Sequence, residues 1–191
     1  MNLRNNLRKS IREKRQLILP NVQQTLSESL KARLISHKDI QTAKHIALYL
    51  ANDGELDPMP FIKWCWSKGI KIYLPVIHPF SKGNLLFLAF EETTTMIKNR
   101  YGISEPKLDV TKVCPVHQLD IIFTPLVAFD NSGARLGMGG GFYDRTLASC
   151  KNEDIGIIGL AHDCQEVAKV PVELWDIPLP EIITPTRTLI C

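Results

Sequence analysis

The chain has 191 residues, of which 45% are hydrophobic and 23% are charged, and its net charge at pH 7 is +3. This length suits one domain with a sizeable core, and the composition is that of a globular protein. A net charge this small gives no argument for nucleic-acid binding. The sequence shows no signal peptide and no apolar run near the roughly 18 residues needed to cross a membrane. We therefore expect a cytoplasmic protein.

The five cysteines are odd in number and scattered, and no two of them form a Cys-x-x-Cys pair. Such a set favours neither a disulfide framework nor a zinc site. We expect reduced thiols, as in cytoplasmic proteins. The cysteines are Cys65, Cys114, Cys150, Cys164 and Cys191.

Two helices are predicted at the start of the chain. Apolar residues recur among charged ones from residue 3 to 19, and the proline at position 20 would end that helix. The second helix spans residues 21–36, with Asn21 as its N-cap. The first helix carries a basic cluster, which alone is typical of a solvated helix face. The cluster consists of Arg4, Arg8, Lys9, Arg12, Lys14 and Arg15.

Short apolar strands and helical segments alternate along the rest of the chain. Residues 121–129 are predicted to be a buried strand that runs out into a loop, and residues 91–116 a loop rich in charge and proline. Strands separated by helices predict an α/β fold: a single domain over 1–191, built as a three-layer α/β/α sandwich with a mostly parallel sheet. The other predicted strands are 45–50, 70–76, 84–90, 155–161 and 182–184, and the other helices are 58–68 and 143–150.

The segment 135–145 is the most informative part of the sequence. It holds four glycines within five positions, follows a predicted strand and leads into a predicted helix. Glycines allow close approach to the backbone, and a glycine-rich turn before a helix presents free N–H groups to an anion. Arg135 and Arg145 flank the turn, and Asp144 is placed to face a metal ion. These residues favour a nucleotide or phosphate site over a flexible surface turn.

Two common phosphate-binding patterns are absent. The dinucleotide fingerprint Gly-x-Gly-x-x-Gly fails because, counted from Gly137, its third glycine position holds Phe142. No Gly-Lys-Ser or Gly-Lys-Thr tripeptide occurs in the sequence, so a Walker loop is excluded. The segment is therefore a phosphate loop of another kind.

Other polar residues follow predicted strands, where ligands bind in α/β sheets. Glu55 follows a strand and a tight turn, so it could present a carboxylate to a cleft, although on its own a solvated turn acid is the better explanation. His78 and His162 are expected to be surface or rim residues, because no His, Cys and Asp spacing suits a first-row metal. Asp176, which lies beside a tryptophan and before a proline turn, alone indicates a capping or turn residue.

The segment 135–144, preceded by Pro125-Leu126-Val127-Ala128-Phe129-Asp130, resembles the signature of the 5-formyltetrahydrofolate cyclo-ligase family, whose members are also called methenyltetrahydrofolate synthetases. The resemblance covers nearly the whole chain. Weaker matches occur in the expected order at residues 4–8, 49–57, 73–76, 170–171 and 175–178.

The resemblance implies an ATP-dependent ring closure. The formyl oxygen of 5-formyltetrahydrofolate would attack the γ-phosphate of ATP, giving an iminium phosphate. N10 of the folate would then close onto that carbon, and release of phosphate would yield 5,10-methenyltetrahydrofolate and ADP. Phosphoryl transfer needs positioning and neutralisation of charge, for which ATP would bind together with Mg²⁺.

The resemblance also implies roles for individual residues. Arg135 and Glu55 would be catalytic, with Glu55 also a hydrogen-bond acceptor for the pterin. Asp144 and Asp176 would hold Mg²⁺, a hard ion that prefers oxygen ligands. The folate would contact Leu50, Glu55, Met138, Gly139, Gly140, Gly141 and Phe142. The nucleotide would contact Arg4, Arg8, Arg135, Leu136, Gly137, Met138, Gly139, Gly140, Gly141, Phe142 and Tyr143.

The implied substrate is a folate, with or without a polyglutamate tail, and we expect a monomer with no nucleic-acid or membrane partner. Three features depart from the family pattern. Many members carry Arg-Gly-Lys-Gly where this chain has Met-Gly-Gly-Gly at 138–141, so two cations near the phosphates are absent. Arg4 replaces a common lysine, which changes the geometry of the cation, and Phe142 replaces a tyrosine.

Two functions of other classes remain open at this point. A sugar-phosphate isomerase or an acyl-CoA-transferase-like enzyme would use the phosphate loop without ATP turnover, with Asp144 and Glu55 as an acid/base pair. A non-catalytic folate-binding or regulatory protein would have lost turnover through the missing loop cations.

Overall fold

Within the described residues of the computed structural model, 3–150 and 154–191, an eight-stranded mixed sheet forms the centre of the molecule. The α-helices are α1 (Leu3–Gln16), α2 (Pro20–Ile35), α3 (Met59–Ser67) and α4 (Phe142–Ala148). The strands are β1 (His45–Ala47), β2 (Lys71–Ile77), β3 (Leu85–Phe90), β4 (Met96–Lys98), β5 (Ser104–Pro106), β6 (Val113–Cys114), β7 (Ile121–Pro125), β8 (Ala128–Phe129), β9 (Arg135–Leu136), β10 (Gly156–Leu160), β11 (Glu181–Ile183) and β12 (Thr188–Ile190).

The strand order across the large sheet is β12-β11-β10-β7-β1-β2-β3-β6. The strands from β11 to β2 run parallel, and Ile46 of β1 is in register with Ile72 of β2 on one side and Ile121 of β7 on the other. Antiparallel strands β3 and β6 extend one edge, and β12 extends the other. The predicted mostly parallel sheet is therefore confirmed.

Helices cover both faces of this sheet. On one face, Leu34 of α2 and Phe61 of α3 belong to the same buried cluster as Phe123 of β7. On the other face, Leu147 of α4 packs in a cluster with Ile122 of β7. Because β7 is buried on both faces, its first three side chains, Ile121, Ile122 and Phe123, are apolar without alternation, as in parallel sheets generally. The arrangement confirms the predicted three-layer α/β/α sandwich.

Helix α1 lies outside the three layers, at the carboxyl end of β7. Its residue Ile11 is buried and packs with Val127, Ala128 and Leu136. β8 and β9 pair as a two-stranded ribbon directly beyond β7, so this apolar contact seats α1 on the ribbon. The polar side chains of α1 consequently lie among the loops that follow the parallel strands.

Several boundaries differ from the predictions. α2 begins at Pro20, which suits the first turn of a helix because no amide hydrogen is needed there; Leu19 is its cap, and Asn21 lies inside the helix. The predicted strand 121–129 is divided into β7 and β8. The predicted loop 91–116 contains the β4–β5 hairpin and β6, and β12 was not predicted.

The cysteines are free thiols, of which Cys65, Cys114 and Cys150 are buried. Burial raises the pKa of Cys65 to about 12, so that thiol stays protonated at neutral pH. No helix in the described ranges is long and apolar enough to span a membrane.

Candidate active site

The predicted site residues meet at the carboxyl ends of the parallel strands. The turn that contains Glu55 follows β1, the ribbon and the glycine-rich segment follow β7, and His162 follows β10. α1 contacts the first two of these segments from outside the sheet. Ligands of open α/β sheets bind at this edge. The fold therefore brings together residues that lie far apart in the sequence.

The glycine loop, residues 137–141, connects β9 to α4. Gly139 and Gly141 adopt the left-handed backbone, with φ of 99° and 65°, which other residues adopt only under strain. Arg8 of α1 donates from Nε to the Gly137 carbonyl at 2.8 Å and so fixes the start of the loop. Leu136, which precedes the loop, is fully buried and packs with Ile11 of α1 and Val127, so its side chain belongs to the core.

Arg135 and Asp144, one predicted for phosphate and the other for metal, form an ion pair. Arg135 Nη2 lies 2.6 Å from Asp144 Oδ1, and the arginine side chain is almost completely buried. Burial lowers the pKa of Arg135, and the charge of Asp144 opposes that effect. The Nε atom of Arg135 is buried without a hydrogen-bond partner. Asp144 therefore leaves the Nε–H donor of Arg135 unused.

Arg4 and Asp176 form a second ion pair in the same region. Arg4 reaches both carboxylate oxygens, at 2.5 Å and 3.1 Å, and its Nη1 also donates to the Pro171 carbonyl. Burial alone would raise the pKa of Asp176, but the hydrogen bond from Arg4 and other contacts lower it. The hydrogen bond to Asp176 raises the pKa of Arg4. This carboxylate is therefore ionised and able to bind a cation.

The two pairs form one charge cluster, because the charge of Arg4 also interacts with Asp144 and that of Arg135 with Asp176. Ile177, next to Asp176, donates its backbone N–H to Asp144. No group of three or more His, Cys, Asp or Glu side chains suited to a metal occurs in the part of the chain that the structure describes. Two carboxylates nevertheless suit Mg²⁺, which commonly takes one or two carboxylates and completes its shell with phosphate and water.

Glu55 lies in a turn that its own hydrogen bonds close. Its Oε2 accepts from the Asn52 N–H at 3.1 Å, and its N–H donates to the Asn52 carbonyl. Burial raises the pKa of Glu55 to about 7, against an opposing effect from Arg15. Leu50, at the start of the same segment, is half-buried against the cluster beneath α2 and α3. Glu55 is therefore not the solvated turn acid that its position alone suggests.

Tyr143, in the first turn of α4, is close enough to Glu55 and Arg135 for both charges to act on it. Its hydroxyl is buried and has no hydrogen-bond partner. Burial raises the pKa of this tyrosine, the charge of Glu55 raises it further, and Arg135 opposes the rise. Buried hydroxyls in folded proteins are nearly always bonded, so an unpaired one at this position points to a ligand.

Phe142 forms an edge-to-face contact with Tyr101, with ring centroids 6.1 Å apart. Tyr101 is exposed in the β4–β5 hairpin, a segment that was predicted to be a loop. Sequence reasoning missed this residue. The available signal was an aromatic residue between Arg100 and Gly102. Arg145 donates from Nε to the Gly83 carbonyl at 2.9 Å and also donates to the Gly140 carbonyl. It thus joins the β2–β3 turn to the glycine loop.

The expectation for His162 is wrong. It is 1% exposed, not a surface or rim residue, and its ring lies against the backbone of Gly54 and Glu55. Burial lowers its pKa to about 4, and the nearby Arg15 lowers it further, so the ring is neutral. His78 is partly exposed, and its Nδ1 accepts from the backbone N–H groups of Phe80 and Ser81 in the β2–β3 turn.

The solvated-face interpretation of the basic helix holds for Lys9 and Lys14, which are exposed, and is wrong for Arg15. The Arg15 side chain is fully buried, with an ion pair to Asp53 at 2.9 Å. A buried arginine needs such a partner, since an unpaired charge inside a protein is very costly. Sequence reasoning missed both residues. The spacing of Arg4, Arg8, Arg12 and Arg15, close to four residues, was the signal that one face of α1 is directed inward.

The fold and this region define an α/β enzyme with a phosphate-type glycine loop at the carboxyl ends of its strands. A model of the 5-formyltetrahydrofolate cyclo-ligase family matches residues 1–185. The chain belongs to this family, and it is a ligase. Membership decides against the sugar-phosphate isomerase and acyl-CoA-transferase-like alternatives.

Individual relatives agree with this placement. The 5-formyltetrahydrofolate cyclo-ligase of Escherichia coli K12 is 49% identical over 177 residues, covering 93% of this chain and 97% of that protein. The Haemophilus influenzae protein of the same name is 45% identical, covering 94% and 96%. Among solved structures, the 5,10-methenyltetrahydrofolate synthetase of Aquifex aeolicus superposes with a TM-score of 0.84 at 28% identity, covering 99% and 93%.

Proposed function

We propose that this protein catalyses the ATP-dependent cyclisation of 5-formyltetrahydrofolate to 5,10-methenyltetrahydrofolate, with release of ADP and phosphate. The observation that carries the proposal is the position of Tyr143. Its unpaired hydroxyl is buried where the charges of both Glu55, assigned to the folate, and Arg135, assigned to the phosphates, act on it. A site that joins a reduced folate to a phosphoryl donor needs its two ligands to meet at such a point.

The nucleotide half of the proposed site consists of Arg4, Arg8, Arg135 and the glycine loop. Arg135 and Arg4 each hold a carboxylate by hydrogen bonds that a phosphate oxygen could accept equally well. Asp144 and Asp176 would then be free to hold Mg²⁺. When bound, Mg-ATP supplies the phosphoryl group that makes the formyl oxygen a leaving group. Residues Leu136 to Tyr143 shape this half through their backbone.

The folate half consists of Leu50, Glu55 and residues 138–142. An ionised Glu55 can accept two hydrogen bonds from adjacent N–H groups of a pterin ring. Its raised pKa, about 7, means that ligand binding at neutral pH selects the ionised form. Phe142 is partly exposed beside the loop and offers an apolar surface for an aromatic ring. Arg135 would stabilise the charge that develops on the phosphoryl oxygens.

The proposal also covers the form of the substrate, the oligomeric state of the protein and its cellular compartment. The substrate is a folate with or without a polyglutamate tail, and the protein acts as a cytoplasmic monomer. Size-exclusion chromatography with light scattering at assay concentration tests the oligomeric state, with a mass near 21.6 kDa expected. Comparison of kcat/KM for mono- and polyglutamylated substrates tests whether the protein prefers a folate with a polyglutamate tail.

A coupled measurement tests the proposed reaction. Purified protein is mixed with Mg-ATP and 5-formyltetrahydrofolate, and the absorbance of the methenyl product and the release of ADP are followed together. We expect equal amounts of both products, and no ADP when the folate is omitted. Tight folate binding without methenyl product would instead support the non-catalytic folate-binding alternative.

A further inference from the structure

Asp53 is held by three side chains of α1, and we call this set of contacts the Asp53 clamp. Arg12 bonds both carboxylate oxygens, with Nε 2.5 Å from Oδ2. Arg15 Nη2 lies 2.9 Å from Oδ2 and 2.9 Å from the Asp53 carbonyl oxygen. Gln16 Nε2 donates to Oδ1 at 2.7 Å. One short acidic side chain thus anchors the last turn of α1.

The backbone at Asp53 is strained. Its φ is +52°, and among the described residues no other non-glycine residue has a positive φ. That conformation is uncommon outside glycine and persists where surrounding contacts determine it. A Cβ on the next residue, Gly54, would lie 3.3 Å from the backbone of Arg15, so α1 packs tightly on this turn. The clamp therefore sets the path of the chain at this point.

The strained turn leads directly to Glu55. Gln23 of α2 donates to the Glu55 carbonyl at 2.6 Å, and the hydrogen bonds to Asn52 close the turn from the other side. The turn itself and α2 thus hold the backbone of Glu55, and His162 lies against the same backbone. A shift of α1 would move the Asp53 clamp and with it the Glu55 carboxylate.

The opposite end of α1 contacts the nucleotide half of the site. Arg4 pairs with Asp176, and Arg8 bonds the Gly137 carbonyl. From Arg4 to Arg15 the helix rises by about 16 Å as one rigid body. The same face of one helix therefore contacts both halves of the proposed site.

We infer that Asp53 is a positioning residue that, through α1, couples nucleotide binding at Arg4 and Arg8 to the placement of Glu55 for the folate. This inference rests on the proposed function. Asp53 also forms an ion pair with the buried Arg15, whose charge acts on Glu55. Without Asp53, the unpaired charge of Arg15 would still attract Glu55, and we expect Glu55 to turn towards that cation and away from the folate.

Two substitutions at Asp53 separate the roles of charge and backbone. Asp53→Asn keeps a side chain that tolerates the left-handed backbone but removes the charge. Asp53→Gly relieves the strain and removes every side-chain contact. Asp109→Asn is the matched control, because it removes the same charge from an exposed turn before the edge strand β6.

Calorimetry measures the Kd of a non-hydrolysable Mg-ATP analogue with and without saturating 5-formyltetrahydrofolate, and steady-state kinetics give KM and kcat. In the wild type and in Asp109→Asn, we expect the folate to tighten analogue binding by about 10-fold, a typical coupling between two sites. In Asp53→Asn and Asp53→Gly, we expect this factor to fall to about 2-fold or less, with KM for the folate raised about 10-fold.

The outcomes are distinct. An unchanged coupling factor in both Asp53 variants overturns the inference while leaving the reaction intact. Equal analogue affinity with and without folate in the wild type also overturns it. If the wild type binds no 5-formyltetrahydrofolate, the proposed function fails and the inference fails with it. A lower melting temperature with an unchanged coupling factor would show a purely structural role.

Discussion

Arg135 donates to Asp144 at 2.6 Å, so the arginine proposed for phosphate and the carboxylate proposed for Mg²⁺ neutralise one another. Arg4 and Asp176 repeat the relationship nearby. Mg-ATP would supply a new partner for each group: the metal cation for the two carboxylates and the phosphate oxygens for the two arginines. The arginines would exchange carboxylate for phosphate hydrogen bonds and the carboxylates would exchange arginine for metal coordination, so no charge would be left unpaired.

Asp144→Asn should reduce turnover by at least about 100-fold, because the proposed metal site loses one of its two carboxylates. Excess EDTA should abolish wild-type turnover. The variant should also melt earlier, since the buried Arg135 keeps only a neutral partner. Initial rates and circular dichroism melting measure both effects, with Asp109→Asn as the control. Full activity in EDTA would exclude a metal requirement.

Arg135→Lys and Arg135→Ala should lower kcat by roughly 100-fold or more, as expected for loss of one preorganised charge-stabilising group. Lysine retains the charge but not the fork that bonds Asp144 and a ligand together. Arg187→Ala is a control, because Arg187 pairs with Glu166 elsewhere on the surface. A raised KM for ATP with unchanged kcat would make Arg135 a ground-state binder.

Tyr143→Phe should leave the protein as stable as the wild type or more stable, because the hydroxyl it removes is buried and unbonded. Such a group costs about 1–3 kcal/mol when it lacks a partner. The rate should nevertheless fall by about 10-fold or more, if the hydroxyl bonds a ligand between Glu55 and Arg135. Urea unfolding and kcat are measured together. A destabilised variant with normal kcat would indicate an ordinary structural hydroxyl.

The folate kcat/KM should rise as pH increases from 6 to 8, with an apparent pKa near 7 for Glu55 in the free enzyme. The sign follows because the ionised carboxylate is the form that accepts two hydrogen bonds. Glu55→Gln should be slower and show no such rise. An unchanged pH profile in Glu55→Gln would assign the titration to another group. The neighbouring titratable groups are Arg15, Asp53, Tyr49, Tyr143 and His162.

The ionisation of Glu55 should have the opposite effect on the stability of the fold, which should fall as pH rises. Burial raises the pKa of Glu55 from 4.5 to about 7, so the fold favours the protonated form and loses stability as pH rises across that interval. Glu55→Gln removes this loss. Its melting temperature relative to the wild type should therefore be higher at pH 8 than at pH 5, a difference that calorimetric scans can resolve.

Cations restored to the glycine loop should act unequally at two positions. Met138 is half-exposed, so Met138→Arg can point to a phosphate and should tighten Mg-ATP binding, by on the order of 1.5–3 kcal/mol if well aligned and far less in solvent. At Gly140 a Cβ would lie 2.7 Å from the Phe142 ring, although φ is not positive there. Gly140→Lys should therefore gain less. Calorimetry measures the affinity of both variants for Mg-ATP. Binding that is weaker in Met138→Arg than in the wild type would contradict the loop geometry.

The sequence predicted the elements whose signals are local. The apolar segments at β1, β2, β7 and β10, and the glycine-rich turn before α4, could be recognised from residue type alone. The α/β class and the family followed from the same segments. These features depend on neighbours in the chain, which is why they could be recognised.

The parts that could not be predicted depend on contacts between distant residues. The burial of Arg15 requires Asp53, and that of His162 requires the packing of α1 on the turn after β1. The β4–β5 hairpin lies in a segment whose charges and prolines resemble those of a loop. Pro20 shows the ambiguity of a single residue, since proline fits equally after one helix and at the first turn of the next.

The contacts of α1 also have a consequence for the order of folding. Arg4 bonds Asp176 across 172 positions, and Arg8 bonds Gly137 across 129. Contacts this remote in sequence form late, because the intervening chain must close first. During synthesis, Arg4 must therefore wait for Asp176, which follows it 172 positions later in the chain. We expect activity to appear only in the final phase of refolding, after the sheet has formed.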